Sequence, residues 1–350
     1  MSFSPCFLRA RALGHLKNRS SPLIQQYRSL RPSDRGTRAL KKVKERKIVR
    51  ANLESKSPEK IEVVYEKDGG VRFGTLLRPF GFACLFTGGS FAGCAIWQYE
   101  SMRSKAMSSK IHDFAESFFH SNKRGEFREQ LNRWYNTLSG TEKLTLGIIA
   151  ANVAVFACWR VPAMQMFMIR WFSASPAASA TCLPMVLSTF SQFSFWHLAV
   201  NMYVLWTFSP TIGATLGREQ FLAFYLSGGV WASFASYAVK VATKSCHPSI
   251  GASGAIMAVL GAVCTHIPDA TLSIIFLPFF TFSAGAALKG LLAFESLGVI
   301  LRWKFFDHAA HLGGLLFGCY YVTDGHKRIW DKRGYILKRW HQFRGRPSDT

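Results

Sequence analysis

Residues 251–263 read GASGAIMAVLGAV, and residues 308–318 read HAAHLGGLLFG. The first stretch opens an apolar segment with a serine among glycines, Gly251, Ser253 and Gly254, and continues through Ala258 and Gly261. In the second, at about 100° per residue, Gly314 and Gly318 fall within about 60° of His311 on one side of a helix, and His308 lies about 60° to the other. In a bilayer, helices associate by packing and hydrogen bonding, so small-residue faces that let backbones approach are the expected contacts. A pair of helices built this way carries His311 into a seam beside Ser253, while His308 is expected to cap its helix or face the loop. The architecture that follows is an all-α membrane protein.

Apolar segments elsewhere support it when measured against the roughly 20 residues that cross a bilayer. Leu76–Gln98, Leu144–Trp159, Phe195–Leu216, Phe221–Val239, Ile250–Ile267, Gly285–Leu301 and His308–Thr323 are the expected spans, seven in number and eight at most. The stretch Leu272–Phe280 before the sixth reads as a short strand or re-entrant piece, interrupted by Pro278. Val161–Phe195 is apolar but broken by Pro162, Pro176 and Pro184, and reads either as an interfacial piece or as two short helices packed in a loop. The layout is one helix, residues 75–99, then a linker of mixed charge and helical pattern, 100–141, then a core of six helices, 142–323, and a basic tail, 324–350. No internal repeat of a transporter kind appears.

Composition agrees: 49% of residues are hydrophobic and 18% charged. The net charge of +23 gathers in the first 60 positions, the linker and the tail, as flanks of a membrane rather than a face for nucleic acid. From Met1 to Ser33 there is no acidic residue, while Arg9, Arg11, Lys17, Arg19, Arg28 and Arg31 alternate with serine and leucine. That is the composition of a mitochondrial transit peptide, assigned to residues 1–52, with residues 53–74 leading into the first span. The eight cysteines show no CxxC pair and read as packing residues.

Ionisable groups inside spans ask for a reason. His197 and Asn201, four apart, share one helical face. Ser253 would sit in the first turn of its helix, where free amides and the dipole favour an oxyanion. A serine, a histidine able to reach it and a His/Asn pair are the parts of acyl transfer, with Ser253 as nucleophile and His311 as base. Asp307 points elsewhere on a helix, and Glu295 is a candidate for pairing with Lys289 or a neighbouring helix. A Ser–His dyad is therefore the expectation. Zinc and aspartyl chemistries lack their motifs, since neither HExxH nor GxGD occurs, and no metal or organic cofactor is expected.

Taken together, Trp159-Arg160, His197 to Asn201, Gly251 to Gly254, and Ala310-His311 with Gly314 and Gly318 resemble, in order, the marks of the rhomboid intramembrane serine proteases. Stretches such as RVPAMQMFMIRWF and KFFDHAAHLGG are similar to mitochondrial members. The resemblance implies Ser253 and His311 as catalytic pair, with His197, Asn201 and Gly251 at the oxyanion and Gly254, Gly314 and Gly318 packing the site. It also implies single-span membrane proteins as substrates, contact with inner-membrane lipid such as cardiolipin, and membership of inner-membrane protease or scaffold complexes. Roles in mitochondrial quality control and cell-death signalling come with it. Orientation follows too: a multi-pass inner-membrane protein, its amino terminus in the matrix and its carboxyl terminus in the intermembrane space. The rival reading is an inactive, client-binding relative. Where bacterial rhomboids often stack a tyrosine on the histidine, this chain has Met257, so His311 is expected to rely on packing or a methionine contact.

Overall fold

The computed structural model describes residues 73–115, 126–274 and 277–345. All of them belong to one compact unit, Lys47–Thr350. The expected presequence, 1–52, and the lead-in as far as residue 72 lie outside the described residues.

Helices dominate. A 3-10 turn, Phe73–Leu76, opens α1 (Leu77–Ala115), followed by α2 (Glu126–Thr137) and α3 (Gly140–Trp159). Next come α4 (Gln165–Trp171) and α5 (Leu183–Leu187), then α6 (Phe195–Leu216), α7 (Arg218–Ala242) and α8 (Ser253–His266). A two-stranded antiparallel hairpin, β1 (Thr271–Ile274) and β2 (Leu277–Ser283), precedes α9 (Ala284–Ile300) and α10 (His308–Tyr320). A π-helical stretch, Tyr321–Trp330, leads through a 3-10 turn to α11 (Gly334–Arg344). The all-α expectation thus gains one hairpin, at the stretch read as strand or re-entrant. Between α3 and α6 the chain forms the two short helices α4 and α5.

Each expected span coincides with a helix. Among the described residues, three are both long and apolar enough to cross a membrane: Phe73–Met107, Gly140–Trp159 and Arg218–Ala242. Ser253–His266 is apolar but shorter. The share of side chains buried in the most apolar stretch is 56% for α7 but only 28% for α1 and 22% for α3. Hence α7 is the interior helix, and α1 and α3 turn apolar faces such as Leu85 and Val153 outward, as lipid-facing helices do.

Local signals set the ends. Ser139 and Glu142 form a capping box on α3, with Glu142 N donating to Ser139 Oγ at 3.2 Å and Ser139 N to Glu142 Oε2 at 2.7 Å. Asp307 caps α10, accepting from the Ala310 amide at 3.0 Å. Sequence placed the end of the first helix near residue 99, yet α1 runs 39 residues, about 58 Å at 1.5 Å per residue. That is nearly twice the hydrocarbon thickness, so the first part of the expected linker is helix. The tail is fastened to this extension: Tyr99 Oη lies 2.6 Å from His341 Nδ1, Trp340 Nε1 donates to Glu100 Oε1 at 2.9 Å, and Arg344 pairs with Glu100.

Candidate active site

The loop before α8 is held on both sides. Ala174 and Ser249 exchange backbone hydrogen bonds of 2.9 and 2.8 Å, and the Gly251 amide donates to the Ser188 carbonyl at 3.3 Å. Gly251 turns at φ +145°, which side chains rarely adopt. A Cβ there would also stand 3.1 Å from His197 Cε1 and 3.4 Å from the Ser253 hydroxyl. Glycine therefore supplies both the turn and the room that brings His197 beside the serine. Ser253 is the first residue of α8, where the opening amides lack intrahelical acceptors.

Across from it, α8 and α10 cross with their backbones in contact. A Cβ at Gly314 would run into the Gly254 carbonyl, one at Gly318 into the Ala258 carbonyl, and one at Gly261 into the Leu315 carbonyl. The glycine seam read from the sequence is present, and it brings His311 Nε2 to 2.8 Å from Ser253 Oγ. Behind the imidazole, His311 Nδ1 lies 3.0 Å from Glu295 Oε1 of α9. A carboxylate at Nδ1 fixes the proton there and leaves the Nε2 lone pair facing the hydroxyl.

Of the two pairings expected for Glu295, the one with a neighbouring helix is present: it meets His311 and His308 of α10, so an acid stands behind the candidate base where a dyad was expected. His308 does not cap its helix, since Asp307 is the cap; its ring does face the loop, against Trp303, Phe305 and Phe306, and its side chain, 2% exposed, also lies 2.6 Å from Glu295 Oε2. The physical reason is Gly298, where any Cβ would strike the His308 ring; the glycine opens a slot on α9. Asn201, buried one turn from His197, donates to Gln192 Oε1 at 3.2 Å, so the structure brings His197 to the serine but turns Asn201 toward Gln192.

A rhomboid domain model matches residues 180–328. The chain is 55% identical over 273 residues to "Presenilin-associated rhomboid-like protein, mitochondrial" of Bos taurus, spanning 77% of this chain and 72% of that one. It is 54% identical to the protein of the same name from Homo sapiens, with the same coverage. This chain belongs to the rhomboid family. "Rhomboid protein 1, mitochondrial" of Saccharomyces cerevisiae is a more distant relative, 32% identical over 204 residues, 57% of this chain and 59% of its own length.

The remaining rhomboid marks tie loops to the site. Trp159 Nε1 donates to Ser191 Oγ at 2.8 Å, and Arg160 Nη2 to the Phe193 carbonyl at 2.7 Å, fixing the approach to α6. Phe306, from the loop before α10, lies against His311, ring centroids 5.9 Å apart and tilted by 37°. Asp307 does point away from His311, toward Lys240 of α7 at 3.3 Å, Ser236 at 2.6 Å and Ser249. Burial raises its carboxyl, but Lys240, the two serines and the Ala310 amide outweigh that and hold it below the usual carboxylate range. A cleft beside Ser253 is lined by Ser188, Ser233, Ser249, Gly251 and Asp307.

Proposed function

We propose that this rhomboid is an intramembrane serine endopeptidase that cuts single-span membrane proteins within or near their membrane segment. The observation that carries the reading is the relay Ser253 Oγ, His311 Nε2 and Nδ1, Glu295 Oε1, with steps of 2.8 and 3.0 Å. His311 takes the hydroxyl proton as Ser253 attacks the scissile carbonyl and gives it to the leaving amine; water then hydrolyses the acyl-enzyme through the same base. Glu295 stabilises the imidazolium without itself taking the proton. His197, with first-turn amides of α8, faces the developing oxyanion, and Asn201 supports that face through its buried position. An unwound substrate is required, because a helix keeps its carbonyls bonded.

The proposed arrangement is one helix plus six: α1, then α3, α6, α7, α8, α9 and α10. The relatives named mitochondrial, and the basic amino-terminal segment, support residence in the mitochondrial inner membrane. Leu76, at the start of α1, packs with Val241 and Cys246 near the loop that leads to Ser253, while the far end of α1 meets the tail. With the amino terminus in the matrix, the serine therefore opens toward the matrix, and the tail lies in the intermembrane space. Partners are single-span clients and inner-membrane lipid such as cardiolipin, with protease or scaffold complexes of that membrane, in quality control and cell-death signalling.

The test is labelling with a serine-directed fluorophosphonate, followed by mass spectrometry of the modified peptide. An adduct on Ser253 that disappears in His311→Ala is expected. A folded wild-type protein that binds a single-span peptide yet never labels would favour the inactive, client-binding reading instead.

A further inference from the structure

We propose that His308 is a positioning residue for the reaction at Ser253, holding the outer oxygen of Glu295 so that the inner oxygen stays aimed at His311 and its charge is shared between two donors. The inference rests on the protease reading above. Glu295 is 2% exposed, and a buried carboxylate needs hydrogen-bond partners for its oxygens. Here it has two: His308 Nδ1 on Oε2 at 2.6 Å and His311 Nδ1 on Oε1 at 3.0 Å. The shorter contact belongs to the histidine that does not touch the serine.

The surroundings of His308 fit that role. Phe294, Trp303 and Phe305 enclose its ring at centroid distances of 5.5, 5.6 and 5.1 Å. Its Nε2 is buried and has no hydrogen-bond partner among the described residues. A hydrogen on Nε2 would be orphaned, and buried N–H groups are rarely left so. The proton therefore sits on Nδ1, donated to Glu295, and the ring is neutral. Gly298, three residues after Glu295 on α9, is what admits the ring. For packing alone an apolar ring would serve this aromatic slot; the imidazole adds one polar contact, and that contact is to the carboxylate behind His311.

The consequence is electrostatic. A carboxylate shared by two N–H donors draws a proton onto its neighbour less strongly than one held by a single donor. His308 thus shares the charge of Glu295 with His311, and its own proton stays in place throughout the cycle. The titratable groups facing the Glu295 pair are His308 and His311 of α10 and, beyond His311, His197 of α6. From α8 comes Ser253, and Asp307 is turned to Lys240.

The experiment measures cleavage of a fluorogenic single-span peptide, and fluorophosphonate labelling of Ser253, across pH in proteoliposomes. Wild type is compared with His308→Ala, His308→Gln and Gly298→Ala. In His308→Ala the acid limb of kcat moves to higher pH by roughly one unit or more, so that kcat on that limb falls about tenfold, with KM little changed. The Gln variant, which keeps an N–H for Glu295, restores most of the limb. Gly298→Ala, which displaces the ring without touching a titratable group, reproduces the Ala phenotype. Thermal melting of each variant separates loss of fold from loss of tuning. An active wild type whose acid limb is the same in folded His308→Ala or Gly298→Ala would overturn the inference while leaving the protease reading intact. A wild type silent in both assays would overturn the protease reading, and this inference with it.

Discussion

His311 reaches Ser253, 2.8 Å from ring nitrogen to hydroxyl, across a helix crossing that closes only because Gly314 and Gly254 put backbone against backbone. The absence of side chains at a few positions, Gly314, Gly318 and Gly261 among them, lets the two helices come close enough for this contact.

Gly314→Leu should therefore break the site by pushing the helices apart. The obstacle is a carbonyl rather than a flexible side chain, so the cost should reach the upper end of the overpacking range, about 3 kcal/mol or more. Thermal melting in detergent reads it directly. Gly290→Ala, on a part of α9 where an added Cβ meets nothing within 4 Å, should stay within about 0.5 kcal/mol of wild type.

Replacement of Glu295 by glutamine keeps its shape but removes the charge. An amide that donates to His311 Nδ1 turns the proton to Nε2, where it blocks acceptance from the serine. The expected loss is on the order of 10³ to 10⁴ in kcat with a modest change in KM, measured on the single-span peptide. A loss below about fivefold would leave Glu295 with a packing role only.

Truncation of His197 to alanine should lower kcat by about 10² to 10³, the usual cost of one oxyanion donor. Ser253 and His311 remain paired in that variant, so a small serine-directed probe should still label it. Equal loss of labelling and cleavage would instead place His197 in the support of the Gly251 turn.

Acid stability follows from the Asp307 clasp. Its carboxyl is held below the ordinary value by Lys240, Ser236, Ser249 and the Ala310 amide against the opposing effect of burial. A group depressed on folding stabilises fully above its unfolded pKa, about 3.9, and that contribution is lost as pH falls through the lower folded value. Asp307→Asn should thus melt below wild type at neutral pH, and the two midpoints should converge as pH drops below about 4. A gap that persists unchanged in acid would mean the cap, not the charge, matters.

Much of this was legible in the sequence because it depends on short spacings. The His311, Gly314, Gly318 stripe and the GASG turn each lie within a few residues, where helical geometry fixes which side chains share a face. What escaped is set by tertiary register. Glu295 and His311 are joined by a loop, Leu301–Asp307, whose path no periodicity encodes, so the acid could be noticed in its apolar run but not assigned to His311. The contact of His308 with Glu295 escaped for the same reason, since it depends on Gly298 of another helix. The Phe306 ring against His311 comes from that same loop, so position 257 on α8 carries no sign of it. The helical pattern past residue 99 was legible, but its continuity with the apolar helix before it was not, because composition changes there while the helix does not.

The most direct measurement is cleavage of a fluorogenic single-span peptide by the purified chain in liposomes, with Ser253→Ala and His311→Ala alongside. The account predicts cutting by wild type and a fall on the order of 10⁴-fold or more in each variant. Cutting by Ser253→Ala at the wild-type rate would contradict it.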